Sequence, residues 1–246
     1  MKILITGGAG EVGTALSKRL ISSGHLVVVY DLKKERLPAG VQFVEGDIRD
    51  FQHIAAAAEG CDSGIHLAAL AGTSAPEEIV SVNVLGAFGF LLAARKACFR
   101  NTVVASSAPV HLAPSALDND LLLRTSGGDD HVYDLTKALQ EMIARDFHMH
   151  GLPTLCLRFG HIVLGEEESN LQRSVSLRDE EYCRGGWVAL EDVTNACAAA
   201  LETPLTTPRF EILNIVGARS ARDKFLVAAA EKRLGVKLKY DFATYD

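Results

Sequence analysis

Tyr133 and Lys137, in "HVYDLTKALQEM", stand four residues apart. On a helix that spacing stacks the two side chains on one face, one turn apart, and sets an ammonium beside a phenol. A neighbouring cation favours phenolate over phenol and draws the tyrosine pKa down from about 10 toward the working range, where the group serves as a general acid or base. The pattern alone recurs by chance. It gains weight from "ASSAP", where Ser106 and Ser107 end a β-branched run and would project a hydroxyl into the same crevice. Phenol, ammonium and hydroxyl together would supply a tuned general acid or base with a hydrogen-bond donor beside it.

The cofactor's own signal is "TGGAGEVG", Thr6 to Gly13. A strand that must turn sharply into a helix opening near Glu11 needs positive φ and no Cβ, so that backbone N–H groups can approach a phosphate at the helix N-terminus. Gly7, Gly10, Glu11, Val12 and Gly13 are accordingly expected to hold a pyrophosphate. Asp31 ends the second apolar run, "LVVVYD", eighteen residues after Gly13. A carboxylate there accepts hydrogen bonds from ribose hydroxyls and repels a 2′-phosphate, which favours NAD over NADP. Lys33 and Lys34 would attract such a phosphate if they were more than a solvated turn.

The elements that must position these residues follow from seven apolar runs at 2–6, 26–31, 41–47, 63–69, 101–107, 154–160 and 210–217. They are continuous rather than alternating, as in strands covered on both faces. Helical patterns at 11–23, 51–59, 76–99, 131–150, 191–202 and 220–234 lie between them. The expectation is an α/β fold: a Rossmann-like, doubly wound, seven-stranded parallel sheet with a small C-terminal substrate-binding lobe. Residues 1–160, with 187–217 returning, form the NAD-binding domain, and 161–186 with 218–246 form the lobe. The polar stretch 161–186 breaks the strand–helix rhythm and reads as an excursion over the carboxyl ends of the strands, or as a solvated insertion.

Composition closes off other classes. A net charge of −6 without a basic stripe argues against a nucleic-acid or anionic-membrane partner, and no stretch reaches about 18 uninterrupted apolar residues. The five cysteines are odd in number and never spaced as CxxC, which suits reduced thiols in a cytoplasmic protein and no metal site. His148 and His150, two apart, fall on different sides of a helix and are not a metal pair. "MKILITGG" enters a strand directly, without the apolar region of a signal peptide.

The glycine turn, Asp31, "GDIRD" (46–50), "HLAA" (66–69), "SVNVLG" (81–86), "SSA" (106–108), Tyr133 with Lys137, "LRFG" (157–160) and "WVALEDV" (187–193) together resemble the extended short-chain dehydrogenase/reductases, within the NAD-dependent epimerase/dehydratase family. The resemblance covers nearly the whole chain. It implies that Asp47 and Ile48 flank adenine, that Leu67, Ala68 and Ala69 lie along the nicotinamide half, and that Ser107, Tyr133 and Lys137 form a catalytic triad. In it Tyr133 removes the hydroxyl proton, Lys137 binds the nicotinamide ribose and Ser107 holds the substrate oxygen. Ser106 competes for that last role; Ser107 is preferred because it directly precedes the small Ala108. Asn83 would face the crevice near the lysine, or make a structural bond. The helices at 76–99 and 131–150 would pair across a homodimer, although burial within one chain explains their apolar faces equally well.

Departures from the pattern are His111 in place of a tyrosine, His161 near the usual position of an asparagine, and a short carboxyl-terminal lobe, which implies a smaller substrate. "SSAP" also lacks the carboxylate of the dehydratase branch. The implied activity is reversible, NAD-dependent hydride transfer at a secondary alcohol of a sugar or sugar acid. A nucleotide-sugar epimerase that retains its NAD, and a non-catalytic NAD-sensing protein, are the alternatives.

Overall fold

The computed structural model describes residues 1–71, 74–108, 131–163, 186–203, 205, 209–223 and 225–243. Each expected apolar run forms a strand of one sheet: β1 (Lys2–Thr6), β2 (Leu26–Asp31), β3 (Val41–Glu45), β4 (Ser63–His66), β5 (Asn101–Ser107), β6 (Thr154–Phe159) and β9 (Glu211–Ile215). Their order is β3-β2-β1-β4-β5-β6-β9, and every pairing is parallel. The order reverses between β1 and β4, which opens a crevice at the carboxyl ends of those strands. Several strands stop short of the apolar run that announced them: β4 ends at His66, after which Leu67, Ala68 and Ala69 line the crevice, and β9 ends at Ile215, after which the Gly217 N–H turns to the Trp187 carbonyl at 2.7 Å.

Both faces of the sheet are covered, and successive residues of each strand serve different cores. Ile3 and Ile5 pack with Leu16 and Leu20 of α1 (Glu11–Ser22) and with Val193, Cys197 and Leu201 of α6 (Leu190–Glu202). On the sheet's other side Leu4 and Val28 pack with Ile54 of α2 (Phe51–Ala58) and with Phe90 and Leu91. Continuous rather than alternating hydrophobicity is the consequence. α2 is capped by Asp50, whose carboxylate accepts the backbone N–H groups of Gln52 and His53 at 3.1 and 3.0 Å.

The 76–99 expectation becomes α3 (Pro76–Val80), a π-helical turn (Ser81–Leu85) and α4 (Gly86–Lys96). By length and composition Pro76–Lys96 is apolar enough to cross a bilayer, and half of its most apolar window is buried inside the fold. α5 (His131–Met149) packs beside it, Arg95 lying 4.9 Å above the Phe147 ring.

Two further features differ from expectation. The helix anticipated over 220–234 is broken into α7 (Arg219–Arg222) and α8 (Val227–Leu234), with Leu226 between them at φ +51°. Phe225 is buried in the core at that point, so its burial overrides the local helical pattern. Two three-residue strands, β7 (His161–Val163) and β8 (Trp187–Ala189), form a separate parallel pair. Residues 164–185, most of the polar excursion, and His111 lie outside the described residues.

Candidate active site

The glycine turn has the shape its sequence demands, at specific positions. Gly7 takes φ +70°, and a Cβ there would sit 2.5 Å from the backbone nitrogen of Ala68. Gly13 lies inside α1 with its missing Cβ only 2.4 Å from Cα of Gly8. Positive φ is therefore required at Gly7, whereas Gly13 serves close helix-to-turn packing. α1 begins at Gly10 without a side-chain cap, so its first N–H groups are not consumed by a cap residue. An anion is the natural partner of such a helix start.

Two cavities meet at this turn and share Gly7, Gly10, Leu67 and Ala69. The smaller, about 470 Å³, is lined by Asp31, Asp47, Ile48 and Ala68 among others. Asp31 accepts the backbone N–H of Ala9 at 2.9 Å through one oxygen and that of Leu32 at 2.7 Å through the other. The carboxylate is thus aimed across the mouth of the glycine turn. Asp47 is gripped by Arg49, whose Nε lies 2.9 Å from one carboxylate oxygen, and this hydrogen bonding holds the Asp47 carboxyl below its ordinary pKa. The neighbouring Tyr30 phenol donates to the Asp47 carbonyl at 2.8 Å, and burial, with Asp50 and Asp47 nearby, pushes its pKa up to about 12.

The larger cavity, about 640 Å³, runs from Gly7, Gly10, Glu11, Val12 and Gly13 to Ser107, Tyr133 and Lys137. All fourteen residues singled out as catalytic or cofactor-binding therefore line one cavity or the other. His161 lines the larger as well, and its backbone N–H donates to the Gly186 carbonyl at 2.9 Å, which fixes β7 beside the crevice.

Lys137 and Tyr133 stack as the spacing requires, with Nζ 5.6 Å from the ring centroid. Lys137 is buried, and desolvation lowers its pKa to about 8 in spite of Cys156 and Glu141 nearby. Its Nζ donates to the Ala105 carbonyl at 3.0 Å and to Gln140 Oε1 at 3.2 Å. The two serines part company. Ser106 is buried and donates to Glu141 Oε1 at 2.5 Å, while Ser107 is half-buried at the cavity wall.

Glu141 in turn receives Arg158 in a fully buried two-pronged pair, Nε at 2.8 Å and Nη2 at 2.7 Å. This pair braces β6 against α5 directly beneath the serines. It was not singled out in the sequence, although an arginine inside the apolar run "TLCLRF" signals a buried partner. Asn83 is buried in the π-helical turn, and its side chain is consumed by structure. Oδ1 accepts the Leu70 N–H at 2.7 Å, and Nδ2 donates to the Leu70 carbonyl and to Thr136 Oγ1, both at 2.9 Å. Of its two readings the structural bond is the one the geometry shows. His66, at the end of β4, is buried and hydrogen-bonded through Nδ1 to Thr6 Oγ1 at 2.8 Å; burial drops its pKa to about 3.

Comparison with known proteins agrees with this architecture. The chain is 30% identical over 173 residues to the UDP-glucose 4-epimerase of Streptomyces lividans, covering 65% of this chain and 52% of that protein. It is 26% identical over 208 residues to the uronate dehydrogenase of Pseudomonas syringae, covering 82% and 70%. The chain spans about half the length of several curated relatives it matches. The crystal structure of uronate dehydrogenase from Agrobacterium tumefaciens superposes with a TM-score of 0.76 at 20% identity, covering 99% of this chain and 86% of that one, and so shares the fold. Residues 3–216 match the NAD-dependent epimerase/dehydratase family, to which this chain belongs.

Proposed function

We propose that this protein is an NAD-dependent oxidoreductase that transfers hydride reversibly at a secondary alcohol of a sugar or sugar-acid-like substrate. The observation that carries the reading is one crevice holding, in order, the Asp31 carboxylate, the Cβ-free turn at Gly7, and the Ser107–Tyr133–Lys137 group. The first two fit an adenine dinucleotide: a ribose acceptor, and a pyrophosphate cradle whose turn is closed only because Gly7 has no side chain to collide with the Ala68 backbone. Bound there, NAD supplies the hydride acceptor.

In this reading Tyr133 takes the proton of the substrate hydroxyl, and its phenolate is favoured by the Lys137 ammonium one turn away. Ser107 donates to the substrate oxygen, a role supported by the commitment of Ser106 to Glu141. Lys137, already held by Ala105 and Gln140, presents its remaining N–H to the cofactor's ribose. Substrate selection is assigned to residues 161–186 and 218–246, of which 164–185 lie outside the described residues. Its class is taken from the uronate dehydrogenase and epimerase relatives. Leu85 and Phe88, with Leu135, Met142 and Met149 of α5, are exposed apolar side chains that suit a homodimer through paired helices. The four described cysteines are free, which suits a cytoplasmic location.

The epimerase relative favours a second reading in which NAD stays bound and one carbon is oxidised and reduced again. A panel of sugars, uronates and nucleotide sugars with NAD separates the two, because a dehydrogenase accumulates NADH and an epimerase accumulates only the epimer. Tyr133→Phe is expected to abolish turnover while NAD still binds. Turnover undiminished in that variant removes Tyr133 from its role.

A further inference from the structure

The Lys137 ammonium is held by an arrangement that neither the glycine turn nor the triad accounts for. An ammonium has three N–H donors and no acceptor. One is fixed by the Ala105 carbonyl of β5 at 3.0 Å and a second by Gln140 Oε1 at 3.2 Å. Gln140 is fully buried, one turn further along α5, and a buried carboxamide must satisfy both of its ends. Its Nε2 donates to the backbone carbonyl of Asn83 at 2.7 Å. That bond decides which end of the amide faces the lysine, since only the oxygen can accept from an ammonium.

Asn83 is itself immobilised. It lies in the π-helical turn, a local departure from α-geometry of the kind often found at functional sites, and its side chain is bonded to Leu70 and Thr136. Thr136 closes the ring by donating to the Tyr133 carbonyl at 2.8 Å. A continuous set of hydrogen bonds therefore runs from the loop after β4, through the π-turn, to both members of the Tyr133–Lys137 pair.

We propose that Gln140 is a positioning residue: its carboxamide, oriented by the Asn83 carbonyl, clamps the Lys137 ammonium so that the third N–H is directed into the cavity beside Tyr133. This rests on the functional reading above, which gives that N–H its purpose. A glutamine serving only to fill space between α5 and the π-turn would have no need of its oxygen facing the lysine. The other ionisable groups around Lys137 are His66 at the end of β4, Cys156 and Arg158 on β6, and Tyr133, Asp134 and Glu141 on α5. None of them is altered by a substitution at Gln140.

The test titrates Lys137 directly in the full-length protein without cofactor, from the NMR shift of 13Cε-labelled lysine, the signal being assigned by its loss in Lys137→Arg. Gln140→Met keeps the length of the side chain and removes both hydrogen bonds, and the Lys137 midpoint is expected to fall by about one pH unit, the size expected for one lost bond to a charged donor. Gln140→Glu keeps an acceptor, adds a charge and cannot donate to Asn83; the midpoint is expected to rise. The fall in Gln140→Met is what a space-filling role cannot produce, because that role moves thermal stability alone; the rise in Gln140→Glu checks that the side chain at this position reaches the ammonium. A Lys137 midpoint within a few tenths of wild type in folded Gln140→Met overturns the proposal. Should that variant not fold, an unmoved midpoint in Gln140→Glu does the same. The measurement needs no turnover, so its failure is distinct from failure of the functional reading, which shows instead as turnover retained in Tyr133→Phe.

Discussion

Lys137 is buried with its pKa lowered from 10.5 to about 8, chiefly by desolvation, and this makes protein stability depend on pH in a definite direction. Below pH 8 both folded and unfolded chains carry the proton, and the full cost of burying the ammonium is present. Between pH 8 and 10.5 the folded protein has released the proton while the unfolded chain still holds it. The unfolded state then binds more protons, so stability rises with pH across that window. The gap of 2.5 pH units, at roughly 1.4 kcal/mol each, amounts to about 3 kcal/mol. The perturbation is Lys137→Met, which keeps the apolar stem and removes the titration. Urea unfolding of both proteins at intervals from pH 7 to pH 10 gives the difference in stability, in which the other tyrosines and cysteines cancel. Wild type should gain on the variant by most of that 3 kcal/mol, with equal m-values. Curves that stay parallel across the window would refute the placement of a buried, desolvated ammonium beside Tyr133.

Burial of neutral His66, whose pKa is lowered to about 3, puts a second window at acid pH, where the unfolded chain takes up a proton that the folded chain refuses. Stability present above pH 6.5 should be lost as pH falls toward 3, by up to about 5 kcal/mol, and acid unfolding of His66→Gln should lack that component. Arg158→Met alone strands the buried Glu141 carboxylate and should cost about 3–5 kcal/mol in chemical denaturation, while the double change with Glu141→Leu should recover much of it. Gly7→Ala places a Cβ against backbone at φ +70° and should cost at least about 2 kcal/mol and weaken NAD binding more than tenfold by calorimetry; wild-type affinity in that variant would argue against the cradle.

Much of this protein was legible in its amino-acid order, because the signals are local. A strand covered on both faces must be apolar at every position, so "LVVVYD" and "NTVVASS" announce themselves without knowledge of their neighbours. Tyr133 and Lys137 stack because 3.6 residues make a turn, and Gly7 is glycine because no side chain fits against Ala68. Tertiary structure decided the rest, where partners are distant in the chain. Ser106 and Ser107 are equivalent as letters; Glu141, 35 residues away from Ser106, draws one of them inward. Gln140 reads as an ordinary helix residue until the Asn83 carbonyl, 57 residues earlier, turns its amide toward Lys137. The break at Leu226 follows from the burial of Phe225, which outweighs the helical preference of the residues around it. Periodicity reports which face of an element is buried; it carries no information about which polar group across the gap will complete a hydrogen bond, and in the interior that pairing sets the energy of each charge.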